Sequence, residues 1–399
     1  MKLKRITKDL DYFLLVPYAI LCVIGIIMVF SASSNIEMQN GGTAISYLIK
    51  QLMYVVVGLL MLAGIFRINQ KQLRNAMFIS ATGVFFIILF VYLMVFGKSI
   101  NGSAGWLNFG GFGVQPAEFV KLYFILLYAR VLSRDEKKME VFTSWKSFLK
   151  AHIKTMITTI IILVLILFLP DLGGTLINFT IVIVMILASG VSYKRSFRIL
   201  AGSLALAYLL LYLLAFGPLK SLGFLKHSYM FQRVVAFANP FVHANGIGQQ
   251  LVNSYYAISN GGIFGKGIGN SIQKTGYLPE PNTDFIMAII SEELGLIGVL
   301  IIMGLLCFMI LRIITIGVRS NDGYSSLICY GTATYLVVQT YFNVGGVTGI
   351  LPITGVTFPF ISYGGSSMIT LCLCLGLVLK ISYKQKIARR EQQAVKGDY

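Results

Sequence analysis

The sequence predicts an all-α polytopic membrane protein with about ten transmembrane helices, both termini cytoplasmic and a large extracytoplasmic loop between helices 7 and 8. Three observations predict it. Only 12% of the 399 residues are charged and 56% are hydrophobic, too little polar surface to cover a water-facing globule. The apolar residues form long unbroken runs, which excludes a barrel, whose strands alternate, and leaves helices that satisfy their own backbone in lipid. Basic residues fall in alternate loops, the pattern that sets membrane topology.

The runs predict spans at Tyr12–Ser31, Leu52–Phe66, Ala76–Phe96, Pro116–Leu132, Met156–Leu169, Leu172–Ser189, Ile199–Phe216, Leu294–Leu311, Ser325–Asn343 and Ser367–Leu379. The first follows a basic start (Lys2, Lys4, Arg5, Lys8), and Ser31-Ala32-Ser33 resembles a cleavage site. Its apolar run exceeds that of a cleavable leader and is read as an uncleaved helix. Pro170-Asp171 makes a tight turn between the fifth and sixth spans. Residues 1–399 form a single transmembrane domain, within which 217–283 is the large outer loop and 380–399 a basic cytoplasmic tail, read as a solvated topological anchor.

The net charge of +18 would suggest nucleic acid in a soluble chain, but 25 of the 33 Lys and Arg lie in the loops assigned to the inner side. Topology accounts for them, so nucleic acid is excluded as a partner. The outer loop carries Lys220, Lys226, Arg233, Lys266 and Lys274. Either an anionic ligand meets them, or a long loop translocates regardless of charge. No large cytoplasmic domain is available for a nucleotide fold, which excludes ATP-driven transport by this chain alone. The five cysteines lie in apolar runs and the three histidines are scattered, so neither a disulfide nor a metal site is indicated.

Seven acids fall on the outer side or in the membrane: Glu37, Glu118, Asp171, Glu280, Asp284, Glu292 and Glu293. Asp284 opens an apolar helical run after Pro279-Glu280-Pro281-Asn282-Thr283. It suits a helix N-cap, or a general base whose pKa is raised in a partly desolvated site. Glu292 and Glu293 follow about two turns later and suit a structural role ending a short interfacial helix. Glu118 and Lys121, at i and i+3, either neutralise each other or place an ammonium against a phosphate. The glycines at 261, 262, 265, 267 and 269 around Lys266 could offer backbone N–H groups to a phosphate or serve close packing.

Over nearly its whole length the chain resembles the SEDS family (shape, elongation, division and sporulation), the FtsW/RodA/SpoVE-type peptidoglycan glycosyltransferases. The most specific residues are Asn343 to Gly349, Pro352, Gly355, Pro359 and Ser362-Tyr363-Gly364-Gly365-Ser366-Ser367. Gln115-Pro116-Ala117-Glu118 with Lys121, Pro170-Asp171-Leu172-Gly173, Gln232-Arg233-Val234, Asn239-Pro240-Phe241 and Leu278-Pro279-Glu280 to Thr283-Asp284-Phe285 support them. The resemblance implies ten helices and polymerisation of lipid II, a disaccharide-pentapeptide on undecaprenyl diphosphate, at the outer face of the bacterial cytoplasmic membrane. It implies the essential aspartate at Asp284 and sensitive positions at Lys121, Arg233 and Glu280. For the mechanism, Lys121 and Arg233, with Lys274, are expected to stabilise the leaving diphosphate, and Glu118 to position Lys121. The resemblance implies a class B penicillin-binding protein, other division proteins and membrane lipids as partners. The sequence requires no cofactor; a Mg or Mn ion on the diphosphate is compatible with it.

Gly105 stands before Trp106 where family members often carry Arg, Asn282 stands where many have His, and Gly174 precedes Thr175. Residues 249–257 and 276–279 look more like division members than elongation members, which places the chain at the septum. The rival readings are an elongation-type polymerase, a flippase or transporter of lipid-linked precursors, and a scaffold for division proteins.

Overall fold

The computed structural model describes residues 9–39, 45–97, 105–109, 112–134, 145–190, 229–244 and 246–397, with scattered positions between 194 and 209. Its helices are α1 (Tyr12–Gln39), α2 (Ile45–Ile65), the one-turn α3 (Gln70–Leu73), α4 (Ala76–Phe96), α5 (Pro116–Arg134), α6 (Trp145–Phe168), α7 (Leu172–Ala188), α8 (Tyr229–Ala238), α9 (Gln249–Gly261), α10 (Ile286–Val318), α11 (Gly323–Thr348) and α12 (Gly365–Gly397). Between α4 and α5, β1 (Leu107–Phe109) and β2 (Phe112–Val114) form an antiparallel pair with Leu107 opposite Val114.

Six helices, α1, α2, α4, α6, α10 and α12, are long and apolar enough to cross a bilayer. α7 is shorter, at 17 residues. α5 and α11 are less apolar because other helices enclose them: Val120, Phe124 and Lys121 on α5, and Tyr335 and Gln339 on α11, are buried. A helix shielded from lipid can carry polar side chains that find partners inside the bundle.

The predicted span Ile199–Phe216 lies largely outside the described residues, as do Lys220, Lys226 and the basic residues before Asp9. The other nine predicted spans fall on described helices. α4 has the predicted bounds because Asn75 starts it, its side chain accepting from the Met77 N–H at 2.8 Å, and Gly97 ends it. Several bounds are corrected: α1 runs to Gln39, past the predicted Ser31; α2 begins at Ile45, before Leu52; and α6 begins at Trp145, before Met156. α10 begins at Ile286, eight residues before the predicted Leu294, and bends at Gly295, whose φ of 69° interrupts the helical geometry. α12 continues through Leu379 to Gly397, so most of the predicted solvated tail is helix.

That extension docks. Lys380 Nζ donates to the Ile65 carbonyl at 2.8 Å, Lys386 Nζ to the Leu10 carbonyl at 2.9 Å, and Arg390 pairs with Asp9 at 2.5 Å. Asp11, fully buried, accepts from Arg312 Nη2 at 2.8 Å and from Ser382 Oγ at 2.9 Å. These groups gather at one end of the bundle, the basic end.

α12 is the most enclosed of the six long apolar helices. It packs along α2 and touches α5, α10 and α11, with Cys372, Cys374, Val378 and Leu379 shielded from every side. α10 pairs with α11, α9 and α1, while α5, α7 and α11 pack together. α4 lies at the periphery, where Met77, Ile88 and Val95 are exposed for lipid.

Candidate active site

At the end opposite the basic clasp, Asp284 is fixed through its backbone. Between α11 and α12 the chain is non-helical, and Phe358, Phe360 and Ile361 there are buried. Asn343, near the end of α11, donates its amide to the carbonyls of Asp284 (2.8 Å) and Val356 (2.7 Å). Ser362 Oγ donates to the Thr283 carbonyl and accepts from the Phe358 N–H, each at 2.7 Å. The Tyr363 N–H donates to the Asn282 carbonyl at 2.8 Å, and Asn282 Nδ2 reaches Ser33 on α1 at 3.0 Å. The spaced motif from Asn343 to Ser367 is therefore the scaffold that immobilises residues 282–284.

The N-cap reading of Asp284 is corrected: Phe285 holds the N-cap position of α10 and no side chain caps that helix. The Asp284 carboxyl group faces Arg233. A Cβ built on Gly355 would stand 3.1 Å from Arg233 Nη1 and 3.4 Å from Asp284 Oδ2, so both groups flank this glycine, whose φ is +74°. α8 supplies Arg233, and Nη1 donates to the Ile353 carbonyl at 3.3 Å. Burial pushes the Asp284 pKa up to about 6; Arg233 pulls against the rise, while Glu280 and Asp171 add to it. Desolvation and neighbouring carboxylates both disfavour the charged form, and a guanidinium favours it.

Asp171 joins this cluster and was absent from the predicted site residues. It caps α7, accepting from the Gly174 N–H at 2.7 Å and from Gln115 Nε2 at 3.0 Å. Burial raises its pKa, and the Gly174 hydrogen bond and the Lys121 charge oppose the rise. An acid in a two-residue turn between spans was the available signal. Lys121 is 1% exposed and stands 2.5 Å from Glu118 Oε1 and 4.9 Å from the Tyr335 ring centroid. Tyr335 Oη donates to Glu118 Oε2 at 3.2 Å. The pair exists as the spacing predicts, enclosed beside Asp171 rather than open. Glu280 is exposed, has a positive φ of 51°, and accepts from Thr283 Oγ1 at 3.0 Å.

Lys274 is corrected. Its ammonium is buried, 2.7 Å from Glu293 Oε1 and 2.8 Å from Ser31 Oγ, so it neutralises an internal carboxylate and is not presented to a ligand. Glu293 also accepts from Ser31. Glu292 accepts from Asn260 Nδ2, Ser271 Oγ and the Gln273 N–H, which bears out its structural reading. The glycine-rich phosphate cradle is corrected too. The N–H groups of Lys266 and Gly267 donate to the carbonyls of Glu292 and Glu293, each at 2.9 Å, and Leu296 N–H donates back to Gly262 O at 3.0 Å. The bend at Gly295 frees those α10 carbonyls, and the glycine loop satisfies them.

Fold and site together define a multi-pass helical membrane protein with a charged cluster at one end of its bundle: a carboxyl group whose pKa burial raises to about 6, an arginine beside it and a second carboxyl group close by. Comparison with known proteins is specific. The chain belongs to the FtsW/RodA/SpoVE cell cycle protein family, which it matches over residues 12–387. It is 39% identical to a probable peptidoglycan glycosyltransferase FtsW of Lactococcus lactis subsp. lactis, over 98% of this chain and 96% of that one. It is 37% identical to the protein of the same description from Bacillus subtilis, over 99% and 97%. Among solved structures it resembles a chain from a study of how a peptidoglycan synthase complex coordinates polymerization and crosslinking, with a TM-score of 0.72 and 24% identity over 94% of this chain and 98% of that one. At that identity the structural likeness speaks to the fold.

Proposed function

We propose that this chain is a peptidoglycan glycosyltransferase that polymerises lipid II by inverting glycosyl transfer at the outer face of the cytoplasmic membrane during cell division. One observation carries the mechanism: Asp284, with a pKa near 6, stands beside Arg233 across Gly355. Asp284 takes the proton from the acceptor sugar hydroxyl as that oxygen attacks the donor's anomeric carbon. The bond from that carbon to the lipid diphosphate breaks, and the leaving diphosphate takes the electron pair. Arg233 stabilises the developing charge in a low-dielectric site. Asp171 raises the basicity of Asp284, and the buried Lys121–Glu118 pair supports Asp171. Glu280, exposed at the mouth, is placed to meet the substrate's polar portion.

A Mg or Mn ion accompanying the substrate's diphosphate is compatible with this reading, and chelation tests it. The ten-span topology with both ends inside is supported by the alternation of the described helices. α7 starts at the site end and α8 brings Arg233 back to that end, which supports one further crossing in the chain between them. A crosslinking enzyme of the class B penicillin-binding type is proposed as partner, by likeness to the synthase complex. Septal placement with other division proteins follows the relatives' FtsW description.

The test is purified protein with lipid II. Glycan ladders on a gel support polymerisation; movement of lipid II between leaflets without ladders would instead favour a flippase.

A further inference from the structure

A second charged site lies at the basic end, far from Asp284. Arg74 follows α3, and Arg130, Ser133 and Arg134 sit on the last turns of α5; together they line a cleft of about 310 Å³. The cleft is assembled by specific bonds. Arg130 Nε donates to the Arg74 carbonyl at 2.7 Å, which brings the two arginines together. Arg74 is oriented twice: Nη2 lies 2.6 Å from Asp322 Oδ1, and its guanidinium lies 4.3 Å from the centroid of the buried Tyr324 ring. Asp322 is itself fixed as the N-cap of α11, accepting from Ser325.

The balance of charge matters. Among the described residues, the arginines of this cleft make one ion pair, that of Arg74 with Asp322. Like charges held together favour an anion between them, and planar guanidinium forks match phosphate oxygens. Topological bias alone explains arginines in this loop, but it does not require Arg130 to hold Arg74 or a tyrosine face to orient it. The surroundings point to a lipid rather than a soluble anion. α4 begins next to Arg74, and its first residues, Met77 and Phe78, are exposed apolar side chains that would meet acyl chains at the same level.

We propose that this cleft binds the phosphate-bearing headgroup of an anionic phospholipid, its acyl chains lying along the exposed start of α4. Basic pockets between membrane helices are suited to such headgroups. The site is separate from the glycosyl-transfer centre and does not depend on that assignment.

The test uses full-length protein in detergent and measures retention of short-chain phosphatidylglycerol by native mass spectrometry, with phosphatidylcholine and inorganic phosphate as comparison arms. Each arginine removed should weaken retention about fivefold, so Arg130→Gln/Arg134→Gln loses about 30-fold. Ser133→Glu, which adds a carboxylate to the cleft and leaves the Arg130–Arg74 and Arg74–Asp322 bonds in place, should also abolish retention; it guards against a folding defect in the double variant. Wild-type retention by Ser133→Glu or by a folded double variant would overturn the proposal. So would equal retention of phosphatidylcholine, or displacement of phosphatidylglycerol by millimolar phosphate, which would assign the cleft to a soluble anion.

Discussion

Replacing Asp284 by Asn removes one proton-accepting oxygen and changes little else. The scaffold grips the backbone of residues 282–284 through Asn343, Ser362 and Tyr363, none of which touches the Asp284 carboxyl group. A positioned general base contributes about 10²–10⁴-fold in rate, or roughly 3–5 kcal/mol of barrier, and Asp284→Asn should lose that much polymer formation. Stability should move the other way. A carboxyl group raised from 3.8 to about 6 on folding costs nothing below the lower value, increasingly more between the two, and its full penalty above the upper. That penalty is roughly 3 kcal/mol at most by linkage, so Asp284→Asn should be at least as stable as wild type at pH 8 and indistinguishable near pH 3. With the wild-type protein the ionised fraction falls from roughly nine-tenths at pH 7 to roughly one-tenth at pH 5, and initial rates should fall in step. Arg233 holds that pKa down, so Arg233→Gln should move the acid limb to higher pH as well as slowing the reaction. The assay is glycan chain formation from lipid II by purified protein, with thermal unfolding in parallel. Wild-type rates from Asp284→Asn, or a flat profile from pH 5 to 7.5, would refute the assignment.

Gly355→Ala should insert normally but lose activity. A Cβ there enters the gap between Arg233 and Asp284, and the +74° φ adds about 1–2 kcal/mol of backbone strain; unchanged polymerisation would show that the gap is not used. Asn343→Leu orphans two buried carbonyls, those of Asp284 and Val356. It should cost about 1–3 kcal/mol for each, read as a lower unfolding temperature together with reduced activity. Lys274→Met strands a buried Glu293 carboxylate and should destabilise by about 3–5 kcal/mol. Lys274→Met/Glu293→Met should recover much of that loss, whereas a double variant no more stable than the single would break the pairing argument.

Much of the bundle was legible because lipid imposes simple rules. A run of apolar residues bounded by Asn75 and Gly97 can only be a span, and α4 has those bounds. The i,i+3 spacing of Glu118 and Lys121 foretold their pair. What could not be read were partners distant in sequence. Lys274 looked like an outer-surface cation because nothing local shows that Ser31 and Glu293 enclose it. The glycines around Lys266 looked like an anion cradle because the bend at Gly295, which creates the carbonyls they satisfy, is a single residue inside an apolar run. The Asn343–Ser367 motif marked the family, but its role as the scaffold of Asp284 emerges only when both segments lie side by side. Asp171 was visible as an acid in a turn; its electrostatic coupling to Asp284 was not.

α12 lies enclosed between α2, α5, α10 and α11, with Cys372 and Cys374 shielded, whereas Cys307 on α10 is exposed. A lipid-soluble alkylating reagent therefore meets the Cys307 sulfur while these helices stay packed, and reaches the two α12 thiols only once they part. Alkylation of Cys372 and Cys374 thus registers separation of the helices without any assay of the reaction.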